Sequence, residues 1–593
     1  MDYRPETGDI QFILEEVLQN SAQLTQLSPF AAVDADLMHQ VLDEAARFVE
    51  GHIAPLQRVG DIEGCRLHGG AVTTPDGFSE AYAAFWQSGW ASLSCAAEDG
   101  GQGLPEVLNQ ALYEMLSAAN HAWTMAPGLL HGAYECLRLH GGAALKEAFL
   151  GRIASGEWLA TMCLTEAHAG SDLGQVRTRA EPETQPLDDD AALGPTYRIR
   201  GTKIFISGGE HDLTSNIVHL VLARLPDAPA GPKGLSLLLA PKYLSGQRRN
   251  TIVCERIEEK MGLHGSPTCV MRFDDAIGWL VGEPGQGLAA MFVMMNASRL
   301  HVGLQGIGLL GAAWQKAEAY ARERRQMRVP GPRGTGPSAG ADLIIGHPAI
   351  QRILQTQRAW IDGGRVVAYQ TAIELDIARH HADPARREAA QRWCALVTPV
   401  VKAAFTDQAF RGASDCLQVF GGHGYISEWG IEQIVRDARI TMIYEGTNEI
   451  QAIDLLVRKV QADKAVGFGR LLDLLCEDLQ AGVEQGGQPG AASGVAMEMA
   501  GALKVSTSSL LQRSTASADV LYWVAGDFLM ATALVFIAWA WARIDRTDGG
   551  ANERWAVPAA AFRAWILPEF EMRLKMLGGV ATGCEEPGPE NRS

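Results

Sequence analysis

A single carboxylate, Glu445, lies between an apolar segment and a glycine in the stretch 421–451, which reads GGHGYISEWGIEQIVRDARITMIYEGTNEIQ. Ile443 and Tyr444 precede it, and Gly446 follows it. Apolar surroundings disfavour the charged form of a carboxylate and raise its pKa toward the range in which it can take a proton from carbon. The residue types therefore allow a general base here, and they equally allow an ordinary surface glutamate at a helix end.

Helical spacing predicts the element that positions this carboxylate. Ile431 and Ile434 recur at helical intervals, which predicts a helix over most of 428–444, with Arg436 and Asp437 turned away from the apolar face. Glycines before and after the segment interrupt the chain. The carboxylate is thus expected at the carboxyl end of a short helix.

Two short stretches farther toward the N-terminus carry side chains suited to a ligand. Leu164–Gly174, LTEAHAGSDLG, is small and polar, so its N–H groups and hydroxyls can approach a ligand closely. Phe205 and Ser207 place an aromatic ring and a hydroxyl two residues apart in a strand-like run. Pattern alone also fits a plain polar loop and a strand whose phenylalanine belongs to the core.

Composition limits the class of protein. The chain has 593 residues, 47% of them hydrophobic, which is enough for several domains. A net charge of -18 argues against nucleic acid as a partner but leaves room for an anionic substrate held by a few local arginines. Ten cysteines without paired spacing predict reduced thiols and no metal site. The acidic, amphipathic start does not resemble a signal peptide, so we expect a cytoplasmic protein.

The periodicity of apolar residues changes twice along the chain and predicts four domains. Helical spacing is followed by short alternating runs typical of a compact β domain, then by long helical segments and a helical extension. The predicted bounds are 1–156, 157–288, 289–462 and 463–593.

Several smaller features accompany this division. The apolar run Phe528–Ala542 is short for a membrane span and is expected to be a buried helix. Glycine and proline predict a flexible insertion over 330–342 and a linker over 486–494. The tail, 585–593, is expected to be disordered.

The whole stretch 421–451 resembles the closing signature of the acyl-CoA dehydrogenases. The resemblance implies an α+β fold: an N-terminal helical domain, a central β-barrel domain and a C-terminal four-helix bundle, here with an extra C-terminal helical extension. It also implies FAD-dependent α,β-dehydrogenation of an acyl-CoA thioester to the 2-enoyl-CoA. Glu445 would take the α-proton while flavin N5 accepts the β-hydride. Its backbone N–H and a ribityl hydroxyl of FAD would bind the thioester oxygen.

The family's site residues carry over position by position. Phe205 and Ser207 stand where the family has tryptophan and threonine, and Met327 replaces a phenylalanine after Arg324. The positions expected to contact FAD are Thr165, Ser171, Phe205, Ser207, Arg324, Gln418, Gly421, Gly422, Thr447 and Glu449. The positions expected to contact the substrate are Ser171, Arg299 and Gly446. For Arg299 the residues alone equally allow an arginine on a solvated helix face.

The long form of the chain resembles a bacterial subgroup that includes 3-methylmercaptopropionyl-CoA dehydrogenase and enzymes of ordinary fatty acyl-CoAs, so the acyl group stays open. The resemblance implies an electron-transferring flavoprotein as electron acceptor, with O2 as the alternative in related oxidases, and a homodimer.

A DNA-associated homologue is a third alternative. Residues 463–593 carry eleven Lys and Arg against sixteen Asp and Glu, which disfavours phosphate binding. The glutamate and the loop hydroxyls argue against a non-catalytic scaffold.

Overall fold

A computed structural model describes residues 3–183, 192–330, 340–484, 491–548 and 552–579. Its first part is helical apart from one small hairpin, β1 (Arg66–His68) and β2 (Ala71–Thr73). The helices of this part are α1 (Thr7–Phe12), α2 (Asn20–Leu24), α3 (Ala35–Phe48), α4 (Gln57–Glu63), α5 (Phe78–Gln87), α6 (Glu106–Thr124), α7 (Leu130–His140), α8 (Ala143–Leu145) and α9 (Gly151–Ser155).

Two helices show how the sequence builds this part. Asp34 caps α3, since its side chain accepts a hydrogen bond from the N–H of Leu37 at 2.9 Å. Helix α6 is buried along its entire length, so it forms the centre of the N-terminal part. It packs against α10 (Gly287–Glu323), the first long helix after the β domain.

The middle of the chain forms a sheet that closes on itself. Neighbouring strands pair in the order β6, β4, β5, β9, β7 and back to β6, while β3 adds to β6 and β8 adds to β9. The strands are β3 (Leu159–Cys163), β4 (Arg179–Pro182), β5 (Thr196–Ser207), β6 (Ile217–Arg224), β7 (Leu235–Pro241), β8 (Ile252–Ile257) and β9 (Thr268–Val281). A separate apolar cluster, which includes Ile199, Val221, Leu238 and Phe273, fills the interior of this barrel.

Long helices pack side by side in the rest of the chain. Helix α12 begins where Asp383 caps it and Pro384 occupies the first turn, a position at which proline costs no hydrogen bond. The helices are α10, α11 (Pro348–His380), α12 (Pro384–Val419), α13 (Ile431–Arg439) and α14 (Asn448–Ile453), followed by α15 (Val466–Glu484), α16 (Ala491–Ser514), α17 (Val520–Asp548), α18 (Glu553–Ala561) and α19 (Pro568–Gly579).

The C-terminal extension is joined to the remainder by buried contacts. Helix α17 packs on α11, α12 and α14. The indole N–H of Trp541 donates to the carbonyl of Ala359 at 3.1 Å. The guanidinium of Arg554 donates to Asp362 and to Asp9, each at 2.8 Å. The extension therefore covers the helical bundle and also ties down the first helix of the chain.

Helix α17 contains the apolar run that was expected to be too short for a membrane. The helix has 29 residues, so it is long and apolar enough to cross one by length and composition, and the argument from length is wrong. Most of its apolar side chains are buried against the rest of the protein, which agrees with the predicted interior helix.

The predicted architecture is confirmed: an α+β chain with helical N-terminal, β and helical C-terminal parts and a helical extension. The linker prediction is wrong for 491–494, where α16 begins. The predicted insertion lies outside the described residues over 331–339, as does the tail 585–593. Asp437 was expected on the outer face of its helix, but it is buried and accepts a hydrogen bond from the N–H of Leu263 at 2.6 Å.

Candidate active site

Glu445 occupies a tight turn between two helical segments. Helix α13 continues as a single 3-10 turn, Ile440–Met442, and α14 begins three residues after Glu445. Both Glu445 (φ 56°) and Gly446 (φ 85°) have left-handed backbone conformations. Such a conformation costs a residue with a side chain on the order of 1 kcal/mol. The surrounding structure must therefore hold this turn.

Side chains from two helices fix the turn. The ammonium of Lys402 donates to the carbonyl of Gly446 at 2.8 Å. The amide of Gln451 donates to the carbonyl of Glu445 at 3.0 Å. Thr447 caps α14, because its hydroxyl oxygen accepts from the N–H of Ile450. The carbonyl groups of Glu445 and Gly446 are thus both held by neighbouring side chains.

The electrostatic surroundings of Glu445 suit a base. Its side chain is half-buried, and burial raises its pKa to about 7, although the charges of Arg299 and Lys402 act in the opposite direction. A carboxyl group with a pKa near neutrality can be ionised in the resting enzyme and can still accept a proton strongly. The interpretation as an ordinary surface glutamate does not fit this environment.

Arg299 lies in the buried part of α10, with 8% of its surface exposed, so it does not sit on a solvated helix face. It donates to the side chain of Asn296 at 3.3 Å and lies 3.8 Å from the carboxylate of Asp454. Its charge acts on Glu445. The structure thus places Arg299 within electrostatic range of the candidate base, and its contact with the substrate stays a prediction.

Sequence reasoning missed three residues: Lys402, whose charge acts on the carboxylate, and Gln305 and His121, which contact the neighbouring Tyr444. Lys402 is fully buried in α12, where it interrupts an apolar run, and a lysine within such a run was the signal available. The hydroxyl of Tyr444 donates to the side-chain oxygen of Gln305 and lies 3.2 Å from Nε2 of His121. Neither Gln305 nor His121 lies in a recognisable sequence motif.

The loop at 164–174 and the end of β5 lie together. The N–H of Ile204 donates to the carbonyl of Thr165 at 2.9 Å, which brings the loop next to Phe205. Phe205 is 60% exposed and has a left-handed backbone (φ 59°), so it is not a core residue of its strand. Ser207 is half-buried at the strand end, and Ser171 is exposed in the loop.

A buried ion pair supports this loop from behind. The ammonium of Lys203, which is fully buried, donates to Glu166 at 3.0 Å and to the carbonyl of Leu164 at 2.9 Å. Burial by itself would raise the pKa of Glu166, but Lys203 and hydrogen bonds from Thr178 hold it at about 2. The strand and the loop are therefore locked together beneath Phe205.

A second set of predicted residues lies at one end of the long helices. The rings of Tyr320 and Phe420 stack with centroids 4.3 Å apart, which joins the end of α10 to the turn after α12. Tyr320 also forms a hydrogen bond with His423 at 3.0 Å. The predicted residues at this end are all exposed: Arg324, Gln418, Gly421 and Gly422. Their expected ligand is the FAD of a neighbouring subunit, so this role stays a prediction.

Two predicted residues border the start of α14. Thr447 is its cap, and the side chain of Glu449 is exposed in its first turn. A hydrogen bond with Thr447 lowers the pKa of Glu449, with a smaller effect of Lys402. Both residues directly follow the turn of Glu445. They could therefore contact a cofactor that extends from the base along the start of α14.

The side chains present fit a flavin dinucleotide. An exposed aromatic ring on a strained backbone, next to a small polar loop, suits a planar heteroaromatic ring. Arg324 offers a guanidinium for a pyrophosphate, a pairing with favourable geometry. Among the described residues, no group of three or more His, Cys, Asp or Glu side chains is arranged to hold a metal ion.

Comparison with known proteins identifies the class that this fold and site define. Three family models match: acyl-CoA dehydrogenase, N-terminal domain, over 36–157; middle domain, over 161–276; and C-terminal domain, over 285–460. The chain belongs to the acyl-CoA dehydrogenase family, whose members use FAD. It is therefore an oxidoreductase that carries out FAD-dependent dehydrogenation of an acyl-CoA.

Individual relatives agree with this assignment. The chain is 44% identical to 3-methylmercaptopropionyl-CoA dehydrogenase of Ruegeria pomeroyi, over 78% of this chain and 77% of the relative. It is 34% identical to a butyryl-CoA dehydrogenase of Syntrophomonas wolfei, over 78% and 76%. The predicted family and subgroup are thereby confirmed.

Solved structures share the fold. Caenorhabditis elegans ACDH-11 in complex with C11-CoA superimposes with a TM-score of 0.73 at 20% identity, covering 95% of this chain and 94% of that one. An acyl-CoA dehydrogenase complexed with FAD from Bacillus anthracis gives a TM-score of 0.70 at 20% identity, covering 93% and 90%. Both alignments extend over nearly all of this chain.

Proposed function

We propose that Glu445 is the base that removes the α-proton of the acyl-CoA in this dehydrogenation. The observation that supports this role most directly is a half-buried carboxylate on a strained turn, with a pKa raised by burial to about 7. FAD, when bound, supplies the acceptor for the β-hydrogen as hydride. Glu445 receives the proton at its carboxylate.

The α-proton of a thioester is too weakly acidic for a carboxylate to remove unaided, so the developing charge on the thioester oxygen needs an aimed donor. We assign the backbone N–H of Glu445 to that task. The fixed turn described above would keep this donor and the carboxylate in one orientation relative to each other. A catalytic donor of this kind is effective because it needs no reorganisation during the reaction.

A single substitution tests the base. Glu445→Gln keeps the shape of the side chain, so FAD should stay bound, while anaerobic reduction of the flavin by substrate should slow by about a hundredfold or more. The flavin absorbance reports both FAD content and reduction in the same cuvette. A variant that holds FAD and bleaches at the wild-type rate would refute the assignment.

The residues that we propose to hold FAD belong to two groups. Thr165, Ser171, Phe205 and Ser207 would contact the flavin ring, and Thr447 and Glu449 would lie along the adenosine and phosphates. Arg324, Gln418, Gly421 and Gly422 would reach the FAD of a second subunit. The exposure of Phe205 and the exposed glycines at the helix end support this division. Residual FAD after gel filtration of single variants would test each group.

We propose that the substrate is 3-methylthiopropanoyl-CoA or a fatty acyl-CoA, with Ser171, Arg299 and Gly446 among its contacts. The names of the relatives from Ruegeria and Syntrophomonas support these two classes. A matched pair of esters separates them, because pentanoyl-CoA has the same chain length with a methylene in place of sulfur. Anaerobic bleaching with both esters, alongside a long-chain ester, would identify the acyl group, and bleaching only by the long-chain ester would exclude the thioether substrate.

The proposed electron acceptor is an electron-transferring flavoprotein, in keeping with membership of the dehydrogenase family. The alternative is an oxidase that passes electrons to O2. After anaerobic reduction, the substrate-reduced enzyme should stay reduced for many turnover times in air and reoxidise on addition of the flavoprotein. Rapid reoxidation in air alone would establish the oxidase instead.

We propose a cytoplasmic homodimer. Tyr425 (86% exposed) and Met327 (78% exposed) present apolar surface at the same end of the bundle as Arg324. Such surface is typical of a protein contact. The cysteines in the described part of the chain are all free thiols, which suits a reducing compartment. Light scattering that shows only monomer would contradict the dimer, and recovery in an oxidising compartment would contradict the location.

A further inference from the structure

We propose that Lys402 is a positioning residue for the base: its ammonium fixes the turn that carries Glu445 and supplies a positive charge that favours the ionised form of this carboxylate. The inference rests on the proposed role of Glu445 as base. It assigns a task to a residue that neither the signature around Glu445 nor the predicted site contained.

The location of Lys402 requires an explanation. It lies in the middle of α12 between Val401 and Ala403, and its side chain is fully buried. Burying an ammonium group is costly unless its donors are satisfied. A leucine or methionine would fill the same space without that cost, so the charge itself or its hydrogen bonds must serve a purpose.

The hydrogen bonds of Lys402 all lead to the turn. Nζ donates to the carbonyl of Gly446 at 2.8 Å and to the side-chain oxygen of Asn448 at 2.9 Å. These two acceptors flank Thr447, so one ammonium binds both sides of the turn. Asn448 is itself held, because its amide donates to the carbonyl of Ala403 at 3.1 Å. Lys402 thus connects α12 directly to the left-handed backbone of the base.

Both hydrogen-bond acceptors of Lys402 are neutral, so its charge is not cancelled within its own hydrogen bonds. Of the acidic groups near it, Glu445 exerts the largest effect and Glu449 a smaller one. Burial lowers the pKa of Lys402 to about 7, and the charge of Glu445 opposes that decrease. The interaction is mutual, since Lys402 opposes the rise of the Glu445 pKa.

The remaining charged groups around the base come from neighbouring elements. Arg299 approaches from α10 and also favours the ionised carboxylate. Asp454 lies 3.8 Å from Arg299 and 2.8 Å from Lys459, so its charge is divided between two cations. The Tyr444 hydroxyl, whose pKa burial raises well above its usual value, stays neutral. The positive charges that act on the carboxylate of Glu445 are therefore those of Arg299 and Lys402.

The sign of the effect follows from these charges. An opposite charge nearby favours the ionised form of a carboxylate by about one to three pKa units. Without the charge of Lys402, Glu445 stays protonated to higher pH. The midpoint, which is the pH at which the flavin-reduction rate reaches half of its maximum, then increases by about one to two pH units. At a pH one unit below the wild-type midpoint, this shift slows the reaction by about a further tenfold for each unit of movement.

Gln451 supplies the matched control, because it also binds the turn but carries no charge. Its amide donates to the carbonyls of Glu445 at 3.0 Å and of Gly446 at 3.4 Å. If Lys402 acted only by holding the backbone, loss of either residue would lower the rate at all pH values and leave the midpoint in place. A movement of the midpoint is the readout that a merely structural role would not produce.

The experiment compares three variants as FAD-loaded full-length protein. Lys402→Met removes the charge and the hydrogen bonds, Lys402→Gln retains a neutral donor, and Gln451→Met removes the neutral donor. The rate of anaerobic flavin reduction by pentanoyl-CoA, or by the ester that bleaches wild type best, is measured against pH. We expect both Lys402 variants to move the midpoint upward by about one unit or more, and Gln451→Met to leave it unchanged.

An unmoved midpoint in Lys402→Gln, or an equal movement in Gln451→Met, would overturn the inference. Should neither Lys402 variant retain FAD, Lys402→Arg decides the question, because it keeps a positive charge and hydrogen-bond donors at this position: the midpoint should not move upward, and an upward movement would overturn the inference. Glu445→Gln is run in parallel. Full activity of that variant would refute the base assignment, whereas its inactivity with unmoved Lys402 midpoints would refute only the role of Lys402.

Discussion

The pH dependence of flavin reduction follows directly from the environment of Glu445. As the proposed base, Glu445 must be ionised to accept the α-proton, and burial raises its pKa to about 7. The rate constant at low substrate concentration, which reports the free enzyme, should therefore rise with pH through this range. Because Lys402 also has a pKa of about 7, the observed midpoint belongs to the interacting pair.

The size of the change can be worked out from this pKa. With a midpoint of about 7, the ionised fraction grows from about one-tenth at pH about 6 to about nine-tenths at pH about 8, so the rate should rise roughly ninefold. An ordinary glutamate, with a pKa of about 4.3, would be fully ionised over the whole interval and give a flat profile. The two cases differ by far more than the error of a rapid-mixing experiment.

The same raised pKa predicts a cost in stability. Glu445 binds its proton more tightly in the folded protein than in the unfolded chain, so ionising it opposes folding. The protonated carboxyl group therefore stabilises the fold. This stabilisation is complete below the pKa of the unfolded chain and is lost as pH rises through the folded value near 7. Glu445→Gln should therefore remove part of any decrease in melting temperature between about pH 5 and pH 8.

The assay is anaerobic rapid mixing of the FAD-loaded protein with limiting substrate, followed at the flavin absorbance maximum. Residual reduction in Glu445→Gln provides the control, since it should show no rise with pH near neutrality. A wild-type rate that is flat across this interval, or that falls with increasing pH, would refute the reasoning from burial to a base with a raised pKa.

Three further perturbations test the surroundings of the site. Lys203→Met leaves Glu166 buried without its cation and should destabilise the protein by about 3–5 kcal/mol, measured by thermal unfolding, with weaker FAD binding; unchanged stability would contradict the buried pair. Phe205→Ala should weaken FAD binding by about tenfold while the melting temperature of the apoprotein stays constant, because the ring is 60% exposed; titration of apoprotein with FAD measures this, and unaltered affinity would exclude stacking. Arg554→Met removes hydrogen bonds to buried Asp362 and should cost about 1–3 kcal/mol; an unchanged melting temperature would show that the extension is held by apolar packing alone.

The sequence predicted the class of protein well because its signals are local. Helical and alternating periodicities predict helices and strands, and the stretch 421–451, which contains YEGTN, resembles the closing signature of one family. The family, the fold class and the reaction are confirmed. The individual roles of the site residues stay predictions. Asp437 shows the limit of periodicity, since its buried position depends on Leu263 of another domain.

What the sequence by itself determined is the position of the candidate carboxylate, Glu445, and the helix that precedes it. What only the tertiary structure decided is the chemistry of that carboxylate. Its pKa depends on burial and on Arg299 and Lys402, which come from two other helices. The residues adjacent in sequence do not reveal burial or these two charges, because charges interact through space and burial is a property of the packed chain.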